Sequence, residues 1–111
     1  MTVEPPETSP TIPAGFVAYR RTPVFTRETV PAGLLRAHTT KAGTWGLLHV
    51  LEGQLLFRVH EPASETLLEP GRPPGVIPSQ APHEVAPQGD GPLRFCIEFF
   101  HSRTEDAGSV R

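Results

Sequence analysis

Short apolar runs recur along the chain, and Gly or Pro breaks each of them after a few residues. In Gln54 to His60, Leu55, Phe57 and Val59 alternate with Leu56, Arg58 and His60. That period of two predicts a strand with one buried face. Phe16 to Arg20 and Val24 to Thr26 read as short strands separated at Pro23, a residue confined to edges and turns, and Leu34 to Thr39 is a third candidate. Trp45 to Leu51 runs through Glu52-Gly53 into Gln54 to His60, the pattern of a hairpin. Two more short strands are expected around Thr66 to Leu68 and Gly75 to Ile77, with Pro70 to Pro74 as the turn between them. His83 to Ala86 and a long strand from Leu93 to Phe100 complete the series. If Leu48 and Val50 point inward, His49 lies on the outer face beside Leu47. Leu47 and Leu56 on that face suggest association as a homodimer.

Composition narrows the class. Fourteen prolines and ten glycines are spread over 111 residues, which leaves no uninterrupted stretch for a long helix. The expected fold is all-β in a single domain, residues 15–101. Residues 1–14, with Pro5, Pro6, Pro10 and Pro13 among Glu, Thr and Ser, are expected to form a proline-rich N-terminal arm, and residues 102–111 a flexible polar tail.

A net charge of −2 with both signs scattered offers no basic face for phosphates, so nucleic acid is not an expected partner. No apolar run is long enough to span a bilayer, and the first residues, acidic and proline-rich, do not resemble a signal peptide. Cys96 is the sole cysteine and suits a reducing cytoplasm, the expected location. In its apolar strand it reads as an inert buried thiol.

Two histidine segments carry the candidate chemistry. One is Ala37-His38-Thr39-Thr40-Lys41-Ala42-Gly43-Thr44-Trp45-Gly46; the other is Pro78-Ser79-Gln80-Ala81-Pro82-His83-Glu84-Val85-Ala86-Pro87. Short strands, proline-rich turns and two such segments around a Gly-containing turn resemble the cupin superfamily, a double-stranded β-helix or jelly-roll barrel. The second segment matches the proline and histidine of the cupin motif P-x-G-x-x-H-x-x-x-N and departs from it at Gln80 and Pro87. In the first, His38 and Thr40 stand where the family has H-x-H, Gly46 stands near its glutamate and Gly53 closes the motif. A narrower resemblance runs from about Tyr19 to Phe100. The stretch Thr40-Lys41-Ala42-Gly43-Thr44-Trp45-Gly46 and the runs around Glu52-Gly53, His83 and Glu98 are similar to the small cupin domain of TehB-type tellurite-resistance proteins.

The resemblance implies inward imidazoles at His38 and His83, placed to hold a divalent transition metal such as Zn, Fe or Ni. Glu98 is a carboxylate inside the apolar run Phe95 to Phe100, so it must be paired, metal-bound, protonated or turned to solvent. As a third ligand it would leave open positions of the kind a catalytic metal keeps. Thr40, Lys41, Thr44, Trp45, His49 and Phe95 are candidate pocket residues. Lys41 would supply a cation suited to a small molecule or oxyanion, and Trp45 would be either a pocket wall or core. His60 and His101 carry less weight, and every histidine retains a purely structural alternative. The function expected is a small cupin domain binding a metal, a small anionic ligand or both, as a tellurite-resistance or stress-related accessory protein. A metal-dependent enzyme (oxygenase or isomerase) and a metal-free structural barrel are the alternatives.

Overall fold

The computed structural model describes residues 12–60 and 63–102. Among the described residues eight strands form, β1 (Phe16–Arg21), β2 (Phe25–Thr26), β3 (Trp45–Glu52), β4 (Gln54–His60), β5 (Ala63–Leu68), β6 (Gly75–Ile77), β7 (His83–Gln88) and β8 (Arg94–Ser102), with a short 3-10 helix at Ala32–Leu35. The fold among the described residues is nearly all-β, as expected. Most of the expected arm and tail lies outside the described residues, and Ser102 ends β8.

The strands make two antiparallel sheets. One has the order β1-β8-β3-β6, with β2 also on β8; the other has β5-β4-β7. Between them lies the core. Leu55, Phe57 and Val59 of β4 and Val85 of β7 pack against Leu48 of β3, Ile77 of β6 and Phe95 and Ile97 of β8. The alternation in β4 therefore selects the inner face as its pattern predicts. His83 shares that inner face with Val85, opposite Val59, and only 2% of its surface is exposed.

The expected jelly-roll barrel does not close, because the two sheets stay separate along their edges. At one side β6 is only three residues long and follows Pro73-Pro74, neither of which has an N–H to offer a ladder. At the other side β7 is an edge strand containing Pro87, tolerated there because one flank needs no donor.

Further expectations are corrected. Trp45–Glu52 and Gln54–His60 are not a hairpin: β3 and β4 belong to different sheets, and Gly53 carries the chain from one to the other. Its φ of 85° suits glycine, and a Cβ there would run into the carbonyl of Pro92. Likewise β5 and β6 flank a proline-rich turn without pairing. Leu47 and Leu56 consequently lie on different sheets, so they form no shared apolar face. Finally, Leu34 to Thr39 is not a strand. Its start is the 3-10 helix, and His38 alone makes a β-bridge, to His83.

Candidate functional site

His38 and His83 meet through their backbones. His38 N–H donates to the His83 carbonyl at 3.0 Å, and His83 N–H donates to that of His38 at 2.8 Å. This bridge pins the loop after the 3-10 helix onto the open edge of β7. The two rings lie 4.1 Å apart between centroids, with Phe57 6.3 Å from the His83 ring.

Each imidazole also bonds a backbone carbonyl two residues back in sequence. His83 Nδ1 lies 2.8 Å from the Ala81 oxygen, and His38 Nδ1 lies 3.1 Å from the Arg36 oxygen. A carbonyl only accepts, so both Nδ1 atoms carry the hydrogen. When either ring is neutral, its lone pair sits on Nε2.

The loop is braced by the turn before β7. Gln80 N–H donates to Thr40 Oγ1 at 3.0 Å, Thr40 Oγ1 donates to the Pro78 carbonyl at 3.3 Å, and Gly43 N–H donates to Ser79 Oγ at 2.9 Å. Gln80 holds a φ of 64°, a left-handed conformation that costs a side-chain-bearing residue about 1–2 kcal/mol. Its bond to Thr40 helps to offset that cost.

Around the two histidines opens a pocket of about 460 Å³. Leu34, Ile77, Ile97 and Phe99 supply apolar wall; Tyr19, Arg20, Thr39, Thr40, Lys41 and Thr44 supply polar groups. No carboxylate is among the described lining residues. Arg20 lies with its guanidinium carbon 5.8 Å from the centroid of the Phe99 ring. Neither Arg20 nor Lys41 makes an ion pair among the described residues. The pocket is thus a positively biased cleft with an apolar wall.

Of the residues expected at this site, the fold brings together His38, His83, Thr40, Lys41 and Thr44. Glu98 does not join them. The pairing of β8 with β3 puts Glu98 opposite Leu47, while its neighbours Ile97 and Phe99 take the pocket side. There it bonds His49 Nε2 through Oε1 at 3.1 Å and faces Arg21 at 3.6 Å. Its carboxylate is satisfied by this pair of cationic or hydrogen-bonding groups. His49 therefore also lies away from the pocket. Trp45 stands edge-on to Phe16 at 6.4 Å, and Phe95, fully buried, packs against Phe25 at 5.6 Å in the core.

Arg20 and Tyr19 are pocket residues outside the expected set, and Arg20 is one that the alternation pattern misses. The register of β1 on β8 shifts between Ala18, opposite Phe100, and Arg20, opposite Phe99. Such a bulge turns Arg20 to the opposite face from the one simple alternation assigns it. The sequence signal was an arginine in an edge strand, which by itself is ordinary.

A three-ligand metal set does not fit this arrangement. Two imidazoles face the pocket without the third donor, and no group of three or more His, Cys, Asp or Glu side chains suited to a metal occurs among the described residues. Catalytic zinc sites use three protein ligands.

Burial pushes the His83 imidazole below its ordinary value of 6.5; the Ala81 bond opposes this shift, and His38 and His60 reinforce it electrostatically. The unfolded chain then binds a proton that the folded chain refuses as pH falls below 6.5. This contribution to stability is complete above that value and declines on acidification. Urea midpoints measured from about pH 7.5 down to about pH 5 should fall more steeply for the native protein than for His83→Gln. Parallel curves would count against a neutral, buried His83.

On the outside of the second sheet, Arg58 bonds Glu65 and Glu84, each at 2.7 Å, and Glu84 also bonds His60 at 2.9 Å. His60 first and then Arg58 hold the Glu84 carboxyl below its usual range. This exposed network positions no pocket group.

Comparison with known proteins follows the same strands. A crystal structure of a protein from E. coli (strain K12) superposes with a TM-score of 0.74 at 27% identity, covering 83% of this chain and 96% of that one. The crystal structure of TehB from Haemophilus influenzae gives a TM-score of 0.71 at 30% identity, covering 80% of this chain and 32% of that one. In sequence, 42 residues are 43% identical to the probable S-adenosyl-L-methionine-dependent methyltransferase TehB of Haemophilus influenzae, 38% of this chain and 15% of that protein's length. The described helices include none long and apolar enough to cross a membrane. The TehB-like domain family matches residues 20–96, from β1 into β8 and through the whole pocket loop, and the chain belongs to that family.

Proposed function

We propose that this TehB-like domain is a binding module for a small anion, held in the cleft around His38 and His83. The observation that carries this is the presence of Arg20 and Lys41, both without carboxylate partners among the described residues, on one pocket with no acid among its described lining residues. Opposite charge in a partly enclosed cleft favours an anion, and the apolar wall of Leu34, Ile97 and Phe99 lowers competition from water. The imidazoles add polar contacts without adding negative charge. Phe99 beneath Arg20 limits the freedom of its guanidinium and so reduces the entropy lost on binding.

The cupin reading belongs here too. Successive strands shuttle between the sheets, β3 in the first, β4 and β5 in the second, β6 in the first, β7 in the second and β8 in the first, as a jelly roll requires. Gln80 holds, at φ 64°, the backbone form that the motif's glycine would supply. This protein is then a cupin-type sandwich left open at its edges, serving a stress-related or tellurite-linked role as an accessory. The methyltransferase activity named for the Haemophilus protein belongs to a chain of which this match spans 15%. It is not assigned to the pocket.

Isothermal titration with a panel of carboxylates, phosphate, sulfate and tellurite tests the proposal. Saturable binding that weakens with added salt is expected, because exposed charge pairs are screened. A folded protein that takes up none of the panel would sink it.

A further inference from the structure

The two imidazoles do more than line the cleft, because their hydrogens are already spent. Both Nδ1–H groups go to backbone carbonyls, at 2.8 Å for His83 and 3.1 Å for His38. The mutual backbone bridge between these residues holds both rings in place. Neither Nε2 has a partner among the described residues. Among the described residues no buried side-chain nitrogen or oxygen is left without a partner, so the Nε2 of the deeply buried His83 keeps some access to solvent, and His83 lines this pocket. Burial also favours the neutral form of that ring, in which Nε2 accepts a hydrogen bond and does not donate one.

The two cations have the opposite character. Arg20 and Lys41 donate only, and Thr40 Oγ1 is occupied on both sides by Gln80 and Pro78. An anion made only of acceptor oxygens satisfies the cations but sets its lone pairs against those of the imidazoles. An anion that also bears a hydroxyl satisfies both.

We propose that the pocket selects an anion carrying its own O–H donor, with the anionic oxygens at Arg20 and Lys41 and the hydroxyl donating to Nε2 of His83 or His38. This rests on the anion-binding function above and adds a specificity rule to it. The O–H is carried either on carbon, as in a 2-hydroxycarboxylate, or on the oxyanion itself, as in hydrogen phosphate. Sites that hydrogen-bond a ligand hydroxyl reject the analogue lacking it, because their own polar atom is left unpaired.

Two matched pairs separate these cases. Malate and succinate differ by one carbon-borne hydroxyl; hydrogen phosphate and sulfate are tetrahedral anions with and without an O–H. In calorimetric titrations at about pH 8, where a neutral imidazole dominates, the O–H member of at least one pair should bind about tenfold more tightly. Which pair shows the preference identifies where the hydroxyl sits. The ratio should fall toward one in His83→Phe or in His38→Phe, whichever ring receives the bond, and circular dichroism of both variants checks that each is folded. Equal affinities within both pairs would overturn the selection rule and leave the anion site standing. A preference that survives in both folded variants would also overturn it. Failure of all four anions to bind the native protein would remove the rule together with the function on which it rests.

Discussion

Phe95→Ala is expected to destabilise the fold by about 3–5 kcal/mol, the range for truncating a fully buried phenylalanine. Phe95 has no exposed surface and lies in β8 between the sheets, against Phe25 and the core side chains of the opposite sheet. Removing the ring deletes its transfer free energy and leaves a cavity that two hydrogen-bonded sheets cannot collapse to fill. A domain near this size has a total stability of only about 5–15 kcal/mol, so much of the margin would go. Urea unfolding followed by circular dichroism measures the loss. A change below about 1 kcal/mol would mean that Phe95 is not packed as described, and would revive its candidacy as a pocket residue.

The second large effect is on binding. Lys41→Glu replaces one of the two cations in the pocket by a carboxylate. An attraction becomes a repulsion, and in a cleft open to solvent the change is about 1.4–2.7 kcal/mol, roughly ten- to a hundredfold in affinity. Lys41 sits on a loop, and its side chain makes no ion pair among the described residues, so the fold should tolerate the substitution. The unfolding midpoint should move little while titration with the tightest anion of the panel weakens by that factor. Arg94→Glu, remote from the pocket and paired with Glu52, is the control for net charge. If it weakened binding as much as Lys41→Glu, long-range charge and not the pocket would be responsible.

Strand identity was legible because it is local. In β4 the side chains alternate between core and surface, and Leu55, Phe57 and Val59 announce this without any knowledge of what lies opposite. The same local signal misassigned Gly53. A glycine at φ 85° serves a tight hairpin and a crossing between sheets equally well, and the choice depends on which partner each flanking strand finds. His38 and His83 were legible as a pair through the family resemblance, and the backbone bridge between them places both on one pocket.

Glu98 and Arg20 mark where that legibility stopped. The sequence set the requirement that a carboxylate in the run Phe95 to Phe100 be satisfied, and it is. Which side of β8 it occupies follows from the antiparallel register with β3, and a shift of one residue exchanges the two faces. Arg20 enters the pocket by such a shift, through the bulge in β1. The amino-acid order thus settled the β class and the buried face of β4, because spacing along one strand suffices for those, and the family resemblance singled out the two histidines. Long-range pairing settled the open sandwich, the loss of Glu98 from the site and the gain of Arg20, because strand register and the partner of each edge are properties of two segments together.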